Sequence, residues 1–85
     1  MTDQIADHAT KTVLASKIQA LLIPNMQRAG LSVWARPSDG PGNVAVTFSG
    51  GRRGEHPITV NASERMAAIK RSWAHMAGYI DNQVG

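Results

Sequence analysis

The side chains that most often carry chemistry are few in this chain and widely spaced. Histidine is the usual proton carrier and metal ligand near neutral pH, and there are three: His8, His56 and His75. No two stand at helical ligand spacing, and with no Cys in the chain there is no thiolate to complete a zinc site. The expectation is three solvent-facing histidines, with His75 turned away from the apolar stripe of its helix. No nucleophile elbow accompanies any serine. Glu55 and Glu64 lie on either side of a short strand, Glu64 is placed to cap a helix, and Asp39 sits in a turn. Paired carboxylates for acid–base work are therefore not formed. The chain is expected to be no enzyme, with no catalytic residue, no metal site and no cofactor.

The most distinctive local feature is the run Gly50-Gly51-Arg52-Arg53-Gly54. Glycines free the backbone, and two adjacent guanidinium forks suit phosphate or carboxylate. It is not a phosphate-cradling P-loop, because the terminal Lys-Ser/Thr and the following helix are missing. The plain alternative is a hairpin loop with solubilising charge. A second feature is Trp34, which strand alternation sets on the face opposite Val33 and Ala35, together with Arg36. If Val33 points to the core, Trp34 and Arg36 form a stacking or interface anchor on an open sheet face. A register change of one residue would reverse that assignment. Arg65 and Arg71 add positive charge on a later helix. There Arg71 shares the outer face with His75, while Lys70 borders the apolar stripe and Arg65 flanks it, so the three do not make one stripe.

These residues are positioned by five elements. Leu14, Ile18, Leu21 or Leu22, and Met26 recur at three- and four-residue spacing and mark one apolar helical face. Asp7 or Thr10 is placed to cap that helix, Pro24 either kinks it or opens a second one, and Gly30 with Leu31 ends it. Leu31, Val33 and Ala35 then alternate with Ser32, Trp34 and Arg36 as a strand. The turn-rich residues 37–42 follow, and Val44, Val46 and Phe48 give the clearest strand. Residues 57–60 form a third strand whose Pro57 belongs at a strand start or an edge. Asn61 and Glu64 make a capping-box arrangement ahead of a second helix with the stripe Met66, Ile69, Trp73, Met76, Ala77 and Ile80. Three strands with one apolar face and two helices with one stripe each share a single two-layer core. The fold class is α+β: αβββα, with a three-stranded antiparallel sheet and two helices packed on one face.

The chain has 85 residues, an apolar content of 42% and a net charge of +3, from six Arg and three Lys against six acids. That length is one domain, residues 1–85, with 1–9 and 81–85 expected to fray. The start MTDQIADHATK carries acids and lacks the apolar run of a secretory signal. The longest apolar stretch, residues 20–23, is far short of the roughly 20 residues that span a bilayer. A small domain without Cys fits a reducing compartment, and the expectation is a cytoplasmic protein with no membrane contact. So small a core also makes a homodimer a cheap way to bury surface.

Two resemblances arise on particular residues. The element order, with Gly40-Pro41-Gly42-Asn43 and then Ser63-Glu64-Arg65-Met66-Ala67-Ala68, resembles a double-stranded-RNA-binding domain. That family has αβββα topology, a Gly-Pro-x-His loop after its first strand, and a Ser-Lys-Lys-x-Ala-Lys start to its second helix. Asn43 stands at the loop His, and Glu64 and Ala68 stand at two of the three lysines, so Arg65 alone keeps a phosphate-binding charge. The resemblance implies the fold and leaves the RNA surface without its motif. The layout is also similar to that of the HicA-type toxins, which are mRNA interferases. Their catalytic His lies in a Gly-Ser-His segment where this chain has Gly42-Asn43-Val44, and the activity does not carry over.

The functional expectation is a small non-enzymatic binding protein that contacts nucleic acid or a nucleoprotein complex through the Gly-Arg-Arg-Gly loop. The expected contact residues are Arg52, Arg53, Trp34, Arg36, Arg65 and Arg71. The alternative is a protein–protein inhibitor of the kind phages and mobile elements encode, such as an anti-CRISPR protein, acting through an apolar and Arg surface around Trp34.

Overall fold

The computed structural model describes residues 2–84, with side chains for residues 6–82. Helix α1 spans Thr2–Arg28, strands β1, β2 and β3 span Ser32–Pro37, Asn43–Ser49 and His56–Asn61, and a 3₁₀ turn over Ala62–Glu64 leads into helix α2, Arg65–Val84. The sheet order is β1-β2-β3, both pairings antiparallel. The expected α+β class and αβββα order are therefore those of the molecule. The expected fraying at 1–9 and 81–85 falls in part on Met1 and Gly85, outside the described residues; the helices extend to Thr2 and Val84.

Neither Asp7 nor Thr10 caps α1. Nothing between Thr2 and Ala9 is Gly or Pro, so the helix continues upstream, and Thr10 donates its hydroxyl hydrogen to the Ala6 carbonyl at 2.8 Å. Pro24 lies inside one continuous helix. It cannot donate to the carbonyl of Ala20, but both residues are exposed and water can take that acceptor. Pro24→Ala restores the bond and removes the ring clash. The gain, about 3 kcal/mol in a helix interior, is offset by about 1 kcal/mol from a looser unfolded chain. A rise in stability of about 2 kcal/mol, read as a higher urea midpoint, is the expected result. At the C-terminus Gly30 takes φ +74° and Leu31 N–H donates to the Met26 carbonyl at 2.8 Å, while Gly30 N–H donates to Gln27. This is the Schellman pairing with its apolar residue, and Leu31 is buried.

The register sets Val33 against Phe48 and Ala35 against Val46, then Val46 against Ile58 and Val44 against Val60. These side chains face the helices and are buried with Leu14, Ile18, Leu22 and Met26 of α1. Leu22 takes the core position and Leu21 stays 44% exposed. The opposite face of the sheet carries Trp34, Thr47 and Pro57 in one row and Arg36, Ala45 and Thr59 in the next. The Gln19 side chain accepts from Ala35 N–H at 3.2 Å and covers part of the β1 edge. Pro57 lies on the β3 edge, where a missing donor discourages a further strand.

Helix α2 is rotated from the expected stripe. The buried positions are Ala68, Ser72, Met76 and Tyr79, while Met66 is 65% and Trp73 45% exposed, and Ala77 is exposed. Small residues explain this. Ala68 and Ser72 let the helix approach the valine-rich strands, and Ser72 returns its hydroxyl hydrogen to the Ala68 carbonyl at 2.9 Å. No described helix is long and apolar enough to cross a membrane.

Candidate functional site

The β2–β3 loop, residues 50–55, is built to hold its arginines out. Ser49 ends β2, and Gly50 and Gly54 take φ +94° and +79°, a left-handed conformation that other residues rarely adopt. Gly54 N–H donates to the Gly51 carbonyl at 3.1 Å and closes a turn with Arg52 and Arg53 at its tip. The phenol of Tyr79, from the last turns of α2, then ties both shoulders down. Gly51 N–H donates to the Tyr79 hydroxyl oxygen at 2.8 Å, and that hydroxyl donates to the Gly54 carbonyl at 2.7 Å. One side chain thereby satisfies one donor and one acceptor of the loop and fixes it to the helix. Both arginines are exposed.

Beside this clamp lies a ring cluster that the spacing of the histidines did not suggest. His56 opens β3 on the core-facing side, in register with Phe48. Its ring centroid is 6.2 Å from Phe48, 6.3 Å from Tyr79 and 5.3 Å from His75, while Phe48 and Tyr79 stack at 5.9 Å. His56 Nε2 and His75 Nδ1 are 3.1 Å apart, so one of these nitrogens carries a hydrogen and the other presents its lone pair. Of the three histidines expected to face solvent, His8 and His56 are exposed, while His75 is half-buried and turned toward His56 rather than away from the core. The reason is the rotation of α2, which turns His75 toward β3. Burial holds the His75 imidazole below its usual range, and the positive charges of Arg71 and His56 push in the same direction.

The pair gives a pH prediction. A histidine whose folded value lies below the unfolded 6.5 binds fewer protons when folded, so stability is full above about pH 6.5 and falls as pH drops through the folded value. Acidification from about pH 7.5 to 5 is expected to lower the thermal midpoint. His75→Gln should flatten that dependence; an equally steep profile in this variant would remove the role assigned to His75.

The six expected contact residues separate into four places. Arg52 and Arg53 are exposed at the tip of the clamped loop, whereas Arg71 stands one turn before His75 on α2, exposed beside Thr59, Asn61 and Glu64 along the β3 edge. Trp34 and Arg36 occupy the open sheet face, Trp34 half-buried and Arg36 exposed. Arg65 lies at the far end, at the start of α2, in a cleft with Ala9, Val13 and Leu14. No single surface gathers all six.

That far end contains the Gly-Pro-Gly-Asn loop, and its polar groups are used internally. Asp7 accepts from Gly42 N–H at 2.8 Å and pairs with Lys11 at 3.2 Å, and Lys11 also donates to the Ser38 carbonyl at 2.6 Å. The Gly42 amide, with Lys11, holds the Asp7 carboxyl below the ordinary carboxylate value. Asn61 accepts from Ser63 N–H as the helix cap, and donates to the Pro41 carbonyl and to Asn43 Oδ1 at 2.9 Å. Gly42 must be glycine, because at φ +72° a Cβ would meet Asn61 Oδ1 at 2.7 Å. Lys11, only 8% exposed, is a structural cation.

Sequence reasoning missed Tyr79. Its signal was available, since His75 and Tyr79 stand four residues apart on one helical face, but the larger Trp73 drew the stripe elsewhere. Among the described residues no three His, Cys, Asp or Glu side chains converge on a metal position. Compared with family models, with curated proteins and with solved structures, the chain gives no match.

Proposed function

We propose that this chain is a non-enzymatic binding module whose basic end contacts the phosphates of nucleic acid, alone or within a nucleoprotein complex. The observation that carries the reading is the clamped loop. Tyr79 holds residues 51–54 at both shoulders, so two adjacent exposed arginines are presented on a preformed turn. A preorganised tip loses less entropy on contact than a loose hairpin does. Guanidinium forks match phosphate oxygens in pairs. Arg71, exposed one turn before His75, adds a further guanidinium on the β3 side of α2.

The double-stranded-RNA-binding resemblance would instead put contacts at the β1–β2 loop and the start of α2. There Lys11 is committed to Asp7 and Ser38, and Glu64 is exposed beside the helix start. The reading therefore rests on the opposite end of the sheet. A cytoplasmic location, with access to RNA or DNA, is part of the same proposal.

The test is fluorescence anisotropy with labelled duplex RNA, duplex DNA and single strands, titrated across salt. Phosphate contact predicts binding that weakens steeply with salt and differs little between sequences. Absence of binding to all three probes at low salt would sink the proposal.

A further inference from the structure

The large apolar side chains left exposed in the described chain are Val13, Leu21, Met66 and Trp73, and they share one side of the molecule. Helices α1 and α2 run the same way. Thr10 and Val13 face the start of α2 across one cleft, and Asn25 and Arg28 face Trp73 and Ile80 across another. Between these clefts the outer seam carries Val13, Lys17 and Leu21 one turn apart on α1, with Met66, Lys70 and Trp73 at matching spacing on α2. The rotation of α2 that seats Ala68 and Ser72 on the sheet is what brings Met66 and Trp73 out to this seam. A cluster of large exposed apolar residues with charged neighbours is uncommon on a chain that acts alone.

The charges around the seam have one dominant sign. Lys17 and Lys70 are exposed in its middle, Arg65 lines one cleft and Arg28 the other, with Asp81 the single acid among the described residues lining either. A second copy docked by a twofold axis would bring these cations against their own copies. A groove between two parallel helices with anchors a turn apart suits an amphipathic helix. The geometry points to this seam as a docking groove for an amphipathic helix of a partner protein, with an apolar stripe for Val13, Leu21, Met66 and Trp73 and acidic flanks for Lys17 and Lys70. The groove is distinct from the Arg52–Arg53 end, so either surface can fail without the other.

The experiment uses the full chain and two labelled helical peptides of roughly 20 residues, with the same leucine stripe and either Glu or Lys flanks. Saturable anisotropy is expected with the Glu-flanked peptide, at least about tenfold tighter than with the Lys-flanked one. Lys17→Glu/Lys70→Glu should reverse that preference, and Trp73→Ala should weaken binding of the Glu-flanked peptide about tenfold. These positions are exposed, and circular dichroism verifies that the variants keep their helices. Failure of both peptides to saturate, or equal affinity for the two, overturns the proposal. So does sedimentation of the chain with phosphatidylglycerol-containing vesicles that Lys17→Glu/Lys70→Glu abolishes, which would assign the seam to a lipid surface. A concentration-dependent dimer lost in Trp73→Glu would assign it to a second copy and overturn the proposal equally.

Discussion

Arg52→Ala/Arg53→Ala is expected to weaken binding to duplex RNA or DNA about 10- to 100-fold at about 50 mM salt. Each arginine–phosphate contact releases condensed counterions, so losing two should also flatten the slope of log K against log salt by about two. The helices and strands should be untouched, because both side chains are exposed and the turn is closed by the Gly54–Gly51 hydrogen bond and by Tyr79. A charge-matched control separates site from bulk charge. Lys17→Ala/Lys70→Ala removes the same net charge from the helix seam, and it should leave the nucleic-acid slope nearly unchanged. An equal loss in both variants would mean that overall charge, not the clamped tip, does the binding. Unchanged affinity in the arginine variant would end the proposal for this loop.

The second large effect is on stability. Phe48 is fully buried near the end of the central strand, with Val33 beside it on β1 and His56 on β3. Its ring also stacks with Tyr79 at 5.9 Å. Phe48→Ala removes the aromatic transfer energy and leaves a cavity that a three-stranded sheet cannot collapse around. The expected cost is about 3–5 kcal/mol. A domain of this length has a total stability of about 4–13 kcal/mol, so the variant should lie near the edge of unfolding at 25 °C. Phe48→Leu keeps most of the volume and should cost less than about 2 kcal/mol. Urea midpoints followed by circular dichroism decide the matter. A shift in Phe48→Ala no larger than that in Phe48→Leu would show that buried volume at this position contributes little, and would overturn the cavity argument.

The two predictions meet at Tyr79, which packs on Phe48 and ties the arginine loop. A destabilised Phe48→Ala protein that remains folded should therefore also bind nucleic acid more weakly, because the clamp loses its backing.

Periodicity and chain breakers were enough to find the architecture. Val44, Val46 and Phe48 alternate because one sheet face is buried, and Gly30 ends α1 because its φ is positive; both reasons act within a few residues. Asn61 as a cap and Pro57 at an edge were legible for the same reason. The arginine loop was legible as a composition, and Trp34 was placed on the open face by alternation once Val33 took the core side.

What the tertiary structure decided depends on contacts between distant parts of the chain. Lys11 reaches Ser38 and Asp7 reaches Gly42, which turns a helix start expected to be capped into an anchored continuous helix. Tyr79 reaches Gly51 and Gly54, and His75 reaches His56, pairings that no local spacing encodes. The face that α2 buries was the decisive case. Hydrophobicity alone favours Trp73 and Met66, but a helix pressed onto a sheet is limited by close packing, and small Ala68 and Ser72 win the contact. That choice turns His75 and Tyr79 toward the arginine loop and leaves Trp73 on the outer seam, so steric fit between layers, rather than sequence pattern, sets both candidate surfaces.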